Sequence, residues 1–219
     1  MDFLSVDLSP IILSFKLAFL SSFILFFICF FLAYFLARCD FFGKSVFESL
    51  FTLPLVLPPT VLGFYLLLAF SPNYAFGKFL KSFDISLLFN FYGLLIASII
   101  YSLPFMLNSL KSGFLSLDDE MILRARLLKK SHFYIMIRLS LKAMLPSIIL
   151  GFVLSFAHTL GEFGVVIMIG GSIANETKVA SIAIFEAIES MDYLAAHTYA
   201  LILLFFSFFV IFTTSLYKK

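Results

Sequence analysis

The segment HTLGEFG at 158–164 carries the side chains best suited to chemistry inside a membrane. Glu162 is a carboxylate in a strongly apolar run, and a carboxylate is costly in lipid unless it faces protein or water. His158 lies four residues earlier, which places both side chains on one face of a helix. We therefore predict that His158, Gly161 and Glu162 line a pathway or brace a helix interface. The alternative for Glu162 is an interfacial position near the membrane edge.

Prolines and a glycine interrupt other apolar runs. Pro58 and Pro59 stand in TLPLVLPPTVLG, and a proline removes a backbone donor and kinks a helix. In lipid such breaks occur where neighbouring groups satisfy the freed carbonyls. We predict that this run is bent or broken, with Gly63 allowing a close approach, and that Pro104 with Asn108 marks the inner end of a later span. Ordinary packing kinks are the alternative explanation.

The sequence lacks the motifs of enzymes and of nucleotide or metal sites. A nucleotide-binding loop needs GxxxxGK[ST], and the GKS at 43–45 follows Arg38 where the first glycine belongs. His132, His158 and His197 are scattered, and no Cys/His group has metal-ligand spacing. We therefore predict that the chain is not an enzyme and has no catalytic residue, cofactor or metal.

The elements that must position these residues are membrane helices. Of all residues, 62% are hydrophobic and 13% are charged, and several apolar runs exceed the roughly 18 residues typical of a spanning helix. The sequence predicts an all-α, polytopic transmembrane bundle that forms one domain, 1–219. Five spans are expected, at about 11–37, 47–70, 86–109, 144–169 and 197–216.

The positions of Lys and Arg predict the orientation, because short loops rich in these residues stay in the cytoplasm. Eleven of the 15 basic residues fall on one side of the five spans. Only Lys78, Lys81 and Lys178 fall on the other side, and Lys16 is expected to snorkel from the first span. We predict a cell-membrane protein with its N-terminus outside and its C-terminus in the cytoplasm. The net charge of +2 is explained by this topology and indicates no nucleic-acid partner.

A polar island at 111–142 separates the third and fourth predicted spans. Ser116 is its candidate N-cap, acidic residues follow, and basic residues stand near the other end, as a helix dipole favours. Met121, Ala125 and Leu128 recur at i, i+4 and i+7 and predict an apolar face. Such a helix lies on the bilayer surface or binds in a groove on a soluble partner, and the groove is the favoured interpretation.

Four stretches resemble the permease subunit of a molybdate ABC transporter, and the resemblance extends along nearly the whole chain. They are LSFKLAF at 13–19, FFGKSVFESLFTLPLVLPPTVLGFYLL at 41–67, GLLIASIIYSLPFMLNSLKSGFLSLDDE at 93–120 and FAHTLGEFGVVIMIGGSIANETKVASIAIFEAI at 156–188. Such permeases have a cytoplasmic loop with an EAA motif, whose short helix docks on the ATPase subunit. The resemblance places this coupling loop at about 110–143. The coupling-helix residues it implies are Leu117, Asp118, Asp119, Glu120, Met121, Arg124, Ala125, Leu128, Lys129 and Ser131.

The loop departs from the usual EAA motif. With the register set by Ala125 and Ser131, Leu123 and Arg124 stand where Glu and Ala are expected, and Lys129 stands where Gly is expected. The position and the amphipathic pattern persist, so the coupling role is still implied. We expect an ATPase subunit with compensating changes, such as extra acidic residues that face Arg124 and Lys129.

The resemblance also implies an architecture and partners. It implies a homodimer that works by alternating access on two ATPase copies and receives oxyanion from a periplasmic or surface-anchored binding protein. The outer segment 170–196 is the expected docking surface, where Glu186, Glu189 and Asp192 either contact that protein or are simply solvated. Tungstate and sulfate permeases are alternatives within the family. A secondary transporter or channel is the alternative outside it, but leaves the cytoplasmic helix without a purpose.

Overall fold

The computed structural model is helical and describes residues 6–216, apart from the side chains of Asp119, His132 and residues 213–216. The predicted all-α class is confirmed. A 3-10 turn at Leu53–Leu55 follows the second helix, and a π-helical turn at Ile135–Leu139 precedes the eighth. In chain order, the α-helices within this range are α1 (Ser9–Arg38), α2 (Lys44–Thr52), α3 (Pro59–Phe70), α4 (Ala75–Lys81), α5 (Phe91–Leu115), α6 (Asp119–Leu127), α7 (His132–Tyr134), α8 (Ser140–Ala143), α9 (Leu145–Leu160), α10 (Gly164–Gly170), α11 (Ala180–Glu189) and α12 (Tyr193–Leu216).

Three helices of the described chain are long and apolar enough to cross a membrane, namely α1, α5 and α12. At 1.5 Å per residue, the 30 residues of α1 and the 25 of α5 extend about 45 and 38 Å. Both lengths exceed the hydrocarbon thickness of about 30 Å. These helices correspond to the first, third and fifth predicted spans.

Pro104 does not mark the end of the third span, contrary to the prediction. α5 continues past it to Leu115, and Pro104 is buried inside the helix. A membrane helix accommodates an interior proline when packing and neighbouring groups compensate for the lost hydrogen bond. Asn108 therefore lies within α5 and not at its end.

The second and fourth predicted spans are bent. α2 with its 3-10 turn meets α3 at 108°, which confirms the break predicted around Pro58 and Pro59. The segment Ile135–Ala143 meets α9 at 79°. Length and composition give up to five spans if each bent pair counts as one, so the predicted number equals this upper value.

The continuous helix predicted across 144–169 is wrong. α9 ends at Leu160 and α10 begins at Gly164, with a short non-helical break between them. The 16 residues of α9 extend only about 24 Å. Hydropathy did not reveal the break because both sides of it are equally apolar.

The centre of the bundle is formed by α1, α5 and α9, which pack against one another. One apolar cluster lies toward the C-terminal ends of α1 and α5 and includes Leu25, Cys29, Met106, Leu110 and Phe114. A second cluster lies toward their N-terminal ends and includes Leu17, Leu94, Val165, Ile169 and Ile182. The two short helices α3 and α10 complete the second cluster.

α3 and α10 approach closely because Gly63 has no side chain. A Cβ atom at Gly63 would lie 2.9 Å from the Met168 Cβ and 3.2 Å from the Val165 Cα. Real Cβ contacts are rarely so short, and a larger residue would push the helices apart. The close approach predicted for Gly63 is confirmed.

Candidate functional site

The helix predicted for the polar island is present as α6, and Asp118 caps its first turn. The Asp118 carboxylate accepts a hydrogen bond of 2.9 Å from the Glu120 N–H. The predicted cap, Ser116, instead donates its hydroxyl to the Gly113 carbonyl of α5. The N-cap prediction is wrong because two capping residues stand only two positions apart in sequence, and the first of them ends α5.

α6 ends at Leu127, earlier than predicted, in a Schellman motif. The Lys130 N–H donates to the Ala125 carbonyl at 3.1 Å, and the Lys129 N–H donates to the Arg126 carbonyl at 2.8 Å. Lys129 has a φ of 53°, the left-handed conformation that glycine adopts most easily. The position where an EAA motif is expected to have Gly thus has a glycine-like backbone with a lysine side chain.

One side of α6 packs on the bundle. Ala125 is buried, and the half-buried Met121 contacts the cluster of α1 and α5. Leu128, predicted on this face, is 72% exposed because it lies beyond the last helical residue. The exposed side carries an ion pair between Arg124 and Glu120, with 2.9 Å between nitrogen and oxygen.

Two of the remaining residues of the predicted coupling helix flank α6, and a third, Asp119, begins it. Leu117 is buried just before the helix. The Ser131 hydroxyl accepts a hydrogen bond of 3.2 Å from the Tyr134 N–H, so Ser131 begins the next helix and does not continue α6. The side chain of Asp119 lies outside the described residues.

Glu162 lies in the break between α9 and α10 and not within a helix, contrary to the prediction. Its side chain is 5% exposed. Its main-chain carbonyl accepts a hydrogen bond of 2.6 Å from the Ser181 hydroxyl, which joins the break to α11. The Ser98 hydroxyl of α5 approaches the carboxylate, but neither carboxylate oxygen completes a hydrogen bond within the described residues. The structure therefore holds a buried carboxyl group without a full set of partners.

His158 contacts α5, and the predicted pairing with Glu162 is not among the contacts of the described residues. The His158 Nδ1 lies 3.0 Å from the Ser102 Oγ. The imidazole centroid lies 4.6 Å from that of the Tyr101 ring and 4.2 Å from that of Phe105. The pairing fails because α9 ends before residue 162, so helical spacing no longer aligns the two side chains.

Ser102 also belongs to a chain of buried hydroxyl groups that crosses three helices. Its Oγ lies 2.8 Å from the Thr159 Oγ1, and the Ser21 Oγ lies 3.4 Å from the same Thr159 atom. The Ser21 hydroxyl donates its single proton to the Ala18 carbonyl at 3.1 Å, because a carbonyl oxygen can only accept. The chain links α1, α5 and α9 and fixes the ring of His158.

The other predicted pathway residues lie on the surface of the chain. Pro58, Pro59, Asn108 and Gly161 are exposed. Pro59 also lies against the start of α10, since a Cβ atom at Gly164 would lie 2.7 Å from the Pro59 Cβ. The starts of α3 and α10 are therefore pressed together beside the exposed residues.

The segment 170–196 contains α11. The Lys178 Nζ lies 2.5 Å from a carboxylate oxygen of Glu186. Partial burial raises the pKa of Glu186, but hydrogen bonds from Lys178 and Ser172 outweigh it and hold the pKa below its ordinary value. Among the described side chains, no group of three or more His, Cys, Asp and Glu could hold a metal ion.

The comparison with protein families identifies the family to which a chain with these features belongs. Residues 29–218 match the family described as the inner membrane component of binding-protein-dependent transport systems. The chain belongs to this family. The matched range includes α6 and the break at Glu162, and the family is that of ABC importer permease subunits, as the resemblance implied.

Named relatives of the permease include molybdenum and sulfate transport proteins. The molybdenum transport system permease protein ModB of Azotobacter vinelandii is 38% identical over 94% of this chain and 92% of its own. The putative molybdenum transport system permease protein YvgM of Bacillus subtilis is 32% identical over 93% and 90%. The sulfate transport system permease protein CysT of Salmonella typhimurium is 34% identical over 80% of this chain and 64% of its own.

A solved structure supports the fold of the permease. It is a chain from the crystal structure of a bacterial ABC transporter involved in the import of the acidic polysaccharide alginate. The TM-score is 0.74 at 17% identity, over 97% of this chain and 80% of that chain. The predicted ABC importer permease fold is confirmed.

The prediction from sequence missed the polar groups that surround His158 and Glu162. Ser98 and Ser102 stand one helical turn apart in α5, and Thr159 directly follows His158. Small hydroxyl residues are common in membrane helices, where they hydrogen-bond between helices. The i, i+4 spacing of the two serines was the available clue, but only the packing of α5 against α9 pairs them with their partners.

Proposed function

We propose that this permease is the transmembrane subunit of an ATP-driven importer of molybdate. The observation that carries this proposal is the similarity to the ModB protein of Azotobacter vinelandii, which extends over 94% of this chain. Tungstate is the closest competitor because it matches molybdate in charge and size. Sulfate is a second candidate, supported by the similarity to CysT proteins.

The coupling loop at about 110–143 is proposed to transmit the work of ATP hydrolysis. A separate ATPase subunit would supply that hydrolysis and bind α6 in a groove, the recognition mode of an amphipathic helix. Two permease copies on two ATPase copies would then alternate between inward and outward states. In this arrangement residues 1–219 form one transmembrane domain, with the N-terminus outside and the C-terminus in the cytoplasm.

The path for the oxyanion is proposed to follow the exposed side of α5. Tyr101, Phe105, Asn108 and Ser112 recur at i, i+4, i+7 and i+11, so they form one stripe on that helix. All four are exposed or half-buried, and His158 packs beside the first two. Hydroxyl, amide and imidazole N–H groups can donate hydrogen bonds to an oxyanion without binding it as tightly as a fixed cation would.

Glu162 is proposed to brace the bundle rather than to line the path. It is 5% exposed, whereas Gly161 beside it is exposed. An ionised carboxylate on the path would repel a dianion. A buried position removes Glu162 from the path and leaves it to hold the break against α5 and α11.

The segment 170–196 is proposed as the docking surface for the binding protein. The segment contains α11, and the Lys178–Glu186 ion pair joins this helix to the loop that precedes it. Glu189 and Asp192 are exposed at the C-terminal end of α11. Acidic side chains at a rim favour a partner with basic groups and mainly increase the rate of association.

The test is uptake of labelled molybdate by cells that contain the permease with its own ATPase and binding protein. We expect ATP-dependent uptake that is competed strongly by tungstate and weakly by sulfate. The double variant Arg124→Glu, Lys129→Glu should insert normally and lose uptake, because reversed charges on α6 oppose ATPase binding. Uptake that continues without the ATPase would support a secondary transporter, and sulfate competition equal to that of tungstate would support a sulfate permease.

A further inference from the structure

An ion pair joins α2 to α5 near the C-terminal end of α5. The Lys111 Nζ lies 2.6 Å from the Glu48 Oε1, and the two side chains are 25% and 32% exposed. Leu110, directly before Lys111, and Phe114, three residues after it, belong to the apolar cluster at the C-terminal ends of α1 and α5. The pair is therefore partly buried in apolar surroundings, at the end of α5 that leads into α6.

This ion pair flanks the stripe of α5 along which the path is proposed. Asn108 precedes Lys111 by three residues, so the two side chains are neighbours on the helix surface. Ser102 and Lys111 are nine positions apart, which is about two and a half turns and places them on opposite sides of α5. Ser102 contacts His158 of α9, and Lys111 contacts Glu48 of α2. The exposed stripe thus lies between α9 on one side and α2 on the other.

We propose that Lys111 contacts the oxyanion at the end of the stripe near α6, and that the oxyanion displaces Glu48 from it. This inference rests on the path described under the proposed function. An ammonium group binds oxyanions such as phosphate as a point charge. At equal distance, a dianion attracts it about twice as strongly as one carboxylate does. Glu48 opposes this binding, because it competes for the ammonium group and repels the dianion.

The competition lets a cation stand beside the path without trapping the substrate. A lysine without a partner in a partly buried site would hold a dianion tightly, because the apolar surroundings strengthen the attraction. Glu48 offsets this attraction and re-forms the ion pair when the anion leaves. Lys111 therefore attracts the oxyanion to the end of the stripe, and Glu48 limits how long the oxyanion stays there.

The test measures how molybdate changes the unfolding temperature of the full-length permease in detergent, with chloride replacing it at constant ionic strength. Glu48→Gln keeps the shape of the side chain and leaves the Lys111 ammonium without its carboxylate. The double variant Glu48→Gln, Lys111→Gln then removes the ammonium as well. Asp40→Asn is the matched control, because it makes the same change in net charge. Asp40 pairs at 3.0 Å with Lys44 of α2, and its side chain is fully exposed.

We expect Glu48→Gln to bind molybdate about tenfold more tightly than the wild type, as a rise in unfolding temperature that depends on molybdate concentration. The double variant should lose this gain, and Asp40→Asn should respond to molybdate as the wild type does. A pair that only braces α2 against α5 would lower the unfolding temperature of Glu48→Gln without any molybdate-dependent rise.

The inference is overturned if Glu48→Gln shows no gain, if the double variant keeps the gain, or if Asp40→Asn shows an equal gain. An equal gain in Asp40→Asn would mean that net charge, and not the position beside the stripe, attracts the anion. Because transport is not measured here, the result is separate from the proposed function. A wild type that takes up no molybdate would refute that function and leave the binding result in place.

Discussion

α6 and the break at Glu162 both place charged side chains between apolar helices, but in opposite environments. On α6 the side chains of Arg124 and Glu120 are 76% and 74% exposed and pair with each other. In the break, Glu162 is 5% exposed and its carboxylate oxygens lack partners within the described residues. Exposed ion pairs contribute little to stability, whereas a buried carboxyl group must be desolvated. Substitution of the buried Glu162 should therefore affect folding more than substitution of the exposed Arg124 or Glu120.

The largest expected effect comes from placing a cation in the break. Glu162→Lys buries an ammonium group in an apolar site and should cost at least about 3 kcal/mol, so little folded permease should reach the membrane. The same substitution at the exposed Glu189 should leave the yield unchanged, and Glu162→Gln, which keeps the shape without the charge, should fold normally. The yield of monodisperse protein in detergent measures this. Equal yields of both lysine variants would mean that water reaches Glu162.

The tight contact between Gly164, the first residue of α10, and Pro59 gives the next largest expected effect. Gly164→Ala places a Cβ atom 2.7 Å from the Pro59 Cβ, and the rigid proline ring cannot move aside. We expect a loss of about 1–3 kcal/mol in the free energy of unfolding. Gly161→Ala is the control, since its Cβ would meet nothing closer than 3.7 Å. A comparison of unfolding temperatures in detergent checks the difference, which should vanish if α3 does not press on the break.

On α6 the expected effects are smaller, because the helix is exposed. Asp118→Ala removes the N-cap and should cost about 1 kcal/mol of local helix stability. Ser116→Ala should leave α6 intact, since its hydroxyl bonds to α5. Hydrogen exchange at the Glu120 amide distinguishes them, with faster exchange expected only for Asp118→Ala. The opposite pattern would restore Ser116 as the cap.

The smallest expected effect is a gain in the stability of α6. Lys129→Gly removes a side chain from a left-handed backbone and should stabilise the end of α6 by about 0.5–1 kcal/mol. Slower hydrogen exchange at the Lys130 amide, which donates to Ala125, would show this. Lys129→Ala serves as the control, because it removes the charge but keeps the Cβ atom. An equal gain in both variants would point to charge rather than backbone conformation.

Several features could be predicted because they depend on local composition. The long apolar runs predicted α1, α5 and α12, and the prolines at 58 and 59 predicted the bend before α3. The alternation of charged and apolar residues predicted α6, although not its cap or its end. Asp118 and Ser116 have nearly equal capping ability, so their roles depend on where α5 stops.

The sequence by itself determined that this chain is a bundle of membrane helices with one charged helix between spans, because hydrophobic length and charge are local properties of the chain. Only the tertiary structure decided what happens around Glu162. The break after α9, the separation of His158 from Glu162 and the chain from Ser21 to His158 all depend on how α1, α5 and α9 meet. A hydroxyl or carboxyl group in lipid needs partners, and those partners are distant in sequence, so packing alone selects them.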